Sequence, residues 1–238
     1  NNNIIYIGTN INTVIAFDIK AKKILWNKKL DGMLKGFPLY LNNKVIVTTI
    51  NNRTYALNSK TGKVLWIYVA ETEDISMTLT GTPAVYKDNI ICVYSSGDVV
   101  SINSNDGSSN WSEILIPKVM YSSSATIPHI SASPIVIGDK VLVANANSQI
   151  ALLDANSGVK LWNKSIGSVF QPVIFDKDWV FVLSDKDVLC MSLHNGELKW
   201  KVNLKEIFKN NKRYKECVWY GPILINGQIW VFGENADI

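Results

Sequence analysis

The stretch Thr61-Gly62-Lys63 is the chain's nearest approach to an anion-binding loop, a glycine followed by a cation. A phosphate cradle also needs a glycine five residues before Gly62 and a Ser or Thr after the lysine, so that backbone N–H groups and the ammonium converge on the anion. Leu57 and Val64 occupy those positions, and the phosphate reading fails. Cys92, Cys190 and Cys217 are far apart and odd in number, with no Cys-x-x-Cys, and His129 and His194 are the only histidines. That supply argues against a zinc site. His194 falls in a His-Asn-Gly turn and reads as an exposed turn residue, whereas His129 sits on a long link as a candidate contact residue. No catalytic, cofactor-binding or metal-binding residue is assigned, and no cofactor is expected.

Composition points to a folded chain with a large core. Of 238 residues, 47% are hydrophobic and only 18% charged, with eight tryptophans, which excludes disordered and coiled-coil classes. The net charge of +4, from 24 basic and 20 acidic residues, is too small and too scattered to imply nucleic acid. No apolar run approaches the roughly 18 residues of a membrane span, and the opening NNNIIYIG lacks the basic-then-apolar order of a secretory signal.

The TGK stretch acquires a meaning once its copies are aligned. AFDIKAKKILW (16 to 26), ALNSKTGKVLW (56 to 66), SINSNDGSSNW (101 to 111), LLDANSGVKLW (152 to 162) and CMSLHNGELKW (190 to 200) match without a gap. Trp26, Trp66, Trp111, Trp162 and Trp200 close the copies. Eight residues earlier stand Asp18, Asn58, Asn103, Asp154 and Ser192; four earlier stand Gly62, Gly107, Gly158 and Gly196, with Lys22 as the exception. Pro38, Pro83, Pro134 and Pro172 each lie 28 residues before the tryptophan of their block. Fixed units joined by variable links are the mark of a repeated supersecondary block, with insertions confined to loops.

Each block reads as four short strands. One lies at the proline, one at the β-branched run (VIVTT, IICVY, VLVAN, VFVLS), one ends at the Asn or Asp, and one ends at the tryptophan. Four antiparallel strands at a spacing of roughly 40 to 50 residues are a propeller blade. The fold expected is all-β: a β-propeller of four-stranded antiparallel blades, one domain over 1–238. It divides into an incomplete blade at 1–30, blades at 36–70, 81–115, 132–166 and 170–204, and an incomplete blade at 220–238. The small polar residue and the glycine suit a hairpin turn with positive φ. Lys22 in the glycine position should distort or loosen the first turn, and the tryptophans should pack each blade on its neighbour. Strands at 1 to 9 and 228 to 233 should leave unpaired edges.

The motif A-x-D/N-x-x-T/S-G-x-x-x-W resembles the tryptophan-docking repeat of the PQQ-like, or quinoprotein-type, propellers. Within that group the chain is most similar to the BamB family of outer-membrane protein assembly lipoproteins, best from about Pro117 to Gly233. The resemblance implies an eight-bladed ring, of which this chain would be a fragment. It also implies a lipid anchor carried by the full-length protein, at the periplasmic face of the bacterial outer membrane, and no enzymatic activity. The implied partner is the set of periplasmic domains of BamA, met by the links that enter two consecutive blades. Placed on this sequence, those contacts are Ile75, Met77 and Thr78 on the first link and His129 and Ser131 on the second. The family pattern has an arginine on the first link and aspartates on the second, so the opposite charges are both missing here.

Two other functional classes use the same kind of propeller. A PQQ-dependent dehydrogenase on the same propeller usually carries an adjacent cysteine pair and a convergent acidic cluster, and neither is found in the sequence. A ligand-binding or sensory propeller would show a deep polar funnel lined from several blades. The stretch KEIFKNNKRYKEC, 205 to 217, is the most basic on the chain. It reads as a solvated face, or as a short helical insertion facing an acidic partner or anionic head groups.

Overall fold

The computed structural model describes residues 3–70, 81–94, 97–115, 132–144, 149–166, 171–184, 186–208 and 217–234. Among them the chain makes six antiparallel sheets in sequence order. The first holds β1 (Ile4–Gly8), β2 (Thr13–Asp18) and β3 (Lys23–Lys29). The second holds β4 (Leu34–Leu41), β5 (Lys44–Thr49), β6 (Arg53–Asn58) and β7 (Val64–Val69). The third holds β8 (Ala84–Tyr86), β9 (Asn89–Val93), β10 (Asp98–Asn103) and β11 (Ser109–Ile114). The fourth holds β12 (Ile135–Ile137), β13 (Lys140–Ala144), β14 (Gln149–Asp154) and β15 (Lys160–Ser165). The fifth holds β16 (Val173–Phe175), β17 (Trp179–Ser184), β18 (Asp187–Ser192) and β19 (Leu198–Asn203). A short helix α1 (Leu204–Ile207), capped by the Asn203 side chain accepting from the Glu206 N–H, leads to β20 (Trp219–Ile225) and β21 (Gln228–Gly233). The lysine-rich 209–216 lies outside the described residues.

The middle strands of the second to fifth sheets are apolar on both faces because each of these sheets lies between two others. In the second sheet Val45, Val47, Tyr55 and Leu57 meet Val14, Ala16 and Trp26 of the first. The alternate residues Ile46, Ala56 and Trp66 meet Ile90, Cys92, Tyr94, Val100 and Ile102 of the third. The same period-two division recurs between the third and fourth sheets and between the fourth and fifth. This is a stack of propeller blades, and its core lies between sheets.

The fourth strands do not end at the tryptophan. β7 runs three residues past Trp66, because Arg53 at the start of β6 still has Val69 to pair with. A register shift recurs at one place in five sheets, between Ala16 and Phe17, Ala56 and Leu57, Ser101 and Ile102, Leu152 and Leu153, and Cys190 and Met191. Such a bulge re-aims the side chains beyond it. Here it turns Trp66 towards the third sheet while Val64, on the other side of the bulge, packs on the first. Within the described residues β1 pairs only with β2, and β21 only with β20, so one side of each is unpaired.

Candidate partner-binding surface

Four of the five repeat tryptophans dock on the hairpin of the following sheet. The indole N–H of Trp26, Trp66, Trp111 and Trp162 donates to the backbone oxygen of Ser59, Ser104, Ala155 and Leu193 at 2.9, 3.0, 3.0 and 2.8 Å. The acceptor is always the residue after the Asn, Asp or Ser that opens the turn. The ring lies over the turn glycine: a Cβ on Gly62, Gly107, Gly158 or Gly196 would fall 2.6, 2.8, 2.6 or 2.8 Å from it. Glycine is therefore required twice, for φ between 68 and 80° and for the ring that covers it.

This geometry bears on two expectations. Lys22 holds φ at 51°, and Asp18 Oδ1 accepts the Ala21 N–H at 2.8 Å. The turn is nonetheless the looser one: Gly62, Gly107, Gly158 and Gly196 each donate their N–H to the backbone oxygen four residues earlier at 2.8–2.9 Å, and Lys22 makes no such bond among the described residues. Among the described residues no tryptophan covers that turn, so only the left-handed strain of about 1 kcal/mol has to be met. Trp200, in turn, docks on no neighbouring hairpin among the described residues, contrary to the expectation that every repeat tryptophan packs on its neighbour. It is 41% exposed and lies 5.7 Å, ring to ring, from Phe181 of its own sheet. Among the described residues the sheet beyond it holds β20 and β21, and no hairpin there supplies the carbonyl and the glycine.

A second set of contacts, at the first strands, went unread in the sequence. The residue before each repeat proline reaches back to its counterpart one sheet earlier. Thr82 Oγ1 accepts the Phe37 N–H at 3.0 Å, Ser133 Oγ the Thr82 N–H at 3.0 Å, and Gln171 Oε1 the Ser133 N–H at 2.8 Å. Proline keeps its predecessor extended and gives up its own N–H, which leaves the preceding N–H aimed sideways at the next sheet. The signal was available: Thr82, Ser133 and Gln171 are polar residues at one fixed position in otherwise apolar surroundings.

These contacts bring together the ends of the two links. The link 71–80 leaves from Ala70, whose N–H donates to the Asn52 oxygen at 3.0 Å, and returns at Gly81. The link 116–131 leaves from Leu115, whose N–H donates to the Gly97 oxygen at 3.1 Å, and returns at Ala132. Gly81 and Ala132–Ser133 are in backbone contact: a Cβ on Gly81 would fall 2.3 Å from the Ser133 Cα and 2.5 Å from the Ala132 oxygen. Ile75, Met77, Thr78, His129 and Ser131 themselves lie outside the described residues. His194 is described, and forms an exposed pair with Asp178, Nε2 to Oδ1 2.9 Å.

Under the start of the first link lies a buried cation that sequence reasoning missed. Lys35 is 2% exposed, and its Nζ donates to Asn52 Oδ1 at 3.3 Å, on the residue that anchors Ala70. Burial disfavours its charged form and lowers its pKa from 10.5 to about 8. At neutral pH the folded chain therefore carries a desolvated ammonium. The unfolded chain holds that proton more tightly, so this group makes stability rise as pH increases from about 8 to about 10.5. Lys35→Met is expected to raise stability by about 2–3 kcal/mol at pH 7, with the gain gone near pH 10.5. Denaturant unfolding of both proteins at the two pH values checks this. Their difference cancels the opposite trend from Cys92, whose thiol burial pushes up to about 11.

The stacked four-stranded blades, tied by docked tryptophans, make this a PQQ-like β-propeller. The family model described as outer membrane protein assembly factor BamB matches residues 1–202, and the chain belongs to that family. It is similar to the outer membrane protein assembly factor BamB of Moranella endobia, 24% identical over 199 residues, covering 83% of this chain and 51% of that protein. Among solved structures it is similar to BamB from Moraxella catarrhalis, with a TM-score of 0.80 and 20% identity over 98% of this chain and 68% of that one. It also resembles quinohemoprotein alcohol dehydrogenase from Comamonas testosteroni, with a TM-score of 0.68 and 14% identity over 85% of this chain and 42% of that one. These two likenesses are of fold. The chain spans about half the length of the curated relatives it matches.

Proposed function

We propose that the chain is part of a non-enzymatic scaffold subunit of the outer-membrane β-barrel assembly machinery, and that it binds the periplasmic domains of BamA. The contacts would be Ile75, Met77 and Thr78 on one link and His129 and Ser131 on the other. The full-length protein would be held by a lipid anchor at the periplasmic face of the outer membrane. The observation that carries this reading is the backbone contact of Gly81 with Ala132 and Ser133. Two long links that return side by side, from sheets latched by Thr82 and Ser133, can present one continuous surface to a partner. The mechanism is association alone: the blades hold the returning ends of the links, Gly81 and Ala132, in contact, and fixing those ends in advance lowers the entropy lost on binding.

Replacing Met77 and His129 together by aspartate is expected to weaken co-purification with the BamA periplasmic domains at least tenfold while leaving the unfolding midpoint unchanged. The dehydrogenase reading rests on fold likeness and is tested on the same protein. PQQ with calcium is expected to leave the thermal midpoint where it was, and a calcium-dependent rise would support the enzyme instead.

A further inference from the structure

The seams between sheets are alike in their docked tryptophans and differ in what stands beside them. Between the third and fourth sheets, Lys160 Nζ crosses to Glu113 Oε1 at 2.7 Å and to the Ile114 oxygen at 2.8 Å. Glu113 lies two residues after Trp111, and Lys160 two before Trp162. At the same two repeat positions, Val64 packs into the core between the first and second sheets. Between the second and third, Tyr68 lies 6.0 Å, ring to ring, from Tyr94. The seam between the fourth and fifth sheets has Lys164 and Leu198 there. Leu198 is 54% exposed, and no ion pair crosses this seam from Lys164 among the described residues.

A cleft of about 440 Å³ remains at that seam. Ile166, Leu189 and Met191 give it an apolar lining continuous with the core around Trp162. Two of its charged residues satisfy one another: Lys201 Nζ lies 2.6 Å from Asp187 Oδ2, and Asp187 Oδ1 accepts the Asn203 amide at 2.7 Å. The side chains of Lys164 and Glu197 pair neither with each other nor with any other group among the described residues. Both stand beside Gly196, since Lys164 Cε lies 3.0 Å from where a Cβ on that glycine would fall and Glu197 follows it in the chain. One end of a mainly apolar cleft thus holds an ammonium and a carboxylate, each without a partner.

We propose that this cleft binds a free aliphatic α-amino acid. Lys164 Nζ donates to its carboxylate, Glu197 accepts from its ammonium, and its side chain covers Leu189 and Met191. Small-molecule sites are concave and mainly apolar, about 300–1,000 Å³ in volume, with a few polar groups that fix orientation. The charges select the occupant. A fatty acid would leave Glu197 unanswered, and an alkylamine would leave Lys164 so, and a desolvated charge without a partner is costly. An α-amino acid carries both charges on one carbon, as the two groups flanking Gly196 require, whereas a peptide separates them. Its aliphatic side chain then takes the apolar lining out of water.

L-leucine is the probe, titrated into the whole chain by ligand-observed NMR, with glycine, N-acetyl-leucine and leucine methyl ester alongside. Saturable binding of leucine is expected, at least tenfold tighter than any of the three analogues. The double variant Lys164→Glu with Leu198→Lys rebuilds here the ion pair that Glu113 and Lys160 make one seam earlier. It should keep the unfolding midpoint and lose leucine binding at least tenfold. Glu197→Gln leaves the cleft open and should abolish the preference for leucine over N-acetyl-leucine. Failure of leucine to saturate overturns the proposal, and so does undiminished binding to the double variant or an analogue that binds as tightly as leucine.

Discussion

Trp66→Ala is expected to lower the unfolding free energy by about 3–5 kcal/mol. Trp66 is 8% exposed, fills the seam formed by Ile46, Ala56, Ile90 and Ile102, and gives its N–H to the Ser104 oxygen. Truncation removes the ring and leaves that buried carbonyl without its donor, which adds to the cavity cost. It also uncovers Gly107, which has no side chain to refill the space. The internal control is Trp200→Ala. The same repeat position is 41% exposed there and docks on no neighbouring hairpin among the described residues, so the loss should be about 1 kcal/mol. Urea unfolding of the two variants gives the comparison; equal losses would mean that the tryptophans stabilise their own sheets rather than the seams.

Gly81→Ala should cost about 3 kcal/mol, through overpacking instead of a void. The new methyl would meet backbone, the Ser133 Cα at 2.3 Å and the Ala132 oxygen at 2.5 Å, and backbone cannot rotate aside. The third and fourth sheets would have to separate at their first strands, which stretches the bond from the Thr82 N–H to Ser133 Oγ. Gly138→Ala is the matched comparison: its φ is 58°, with nothing within 4 Å of the added carbon, so only about 1 kcal/mol of left-handed strain is expected. Because Gly81 and Ala132 are where the two links return, Gly81→Ala should also weaken partner binding more than its stability loss explains. Calorimetric unfolding and a binding titration on the same sample measure both.

The repeat made much of the architecture readable before any coordinates. A tryptophan, a glycine and a proline at fixed offsets define one block, and short β-branched runs supply its strands. The periodicity could not show what each marker touches. Gly62 reads as a turn residue, and only the packing shows that Trp26, 36 residues earlier in the chain, lies on it. The pre-proline latch was overlooked for the same reason, since Thr82 and Ser133 act on residues a full block away. Lys35 gave no signal at all: a lysine in Leu34-Lys35-Gly36 looks solvated until the second sheet folds over it.

The scaffold reading depends most directly on whether the link surface takes the BamA periplasmic domains. Isothermal titration of those domains into the wild-type protein, Gly81→Ala and the Met77/His129 double aspartate variant measures it. A saturable one-to-one complex with the wild type is expected, weakened by both variants. No heat of binding to the wild-type protein, or wild-type affinity retained when both links carry aspartate, would contradict it.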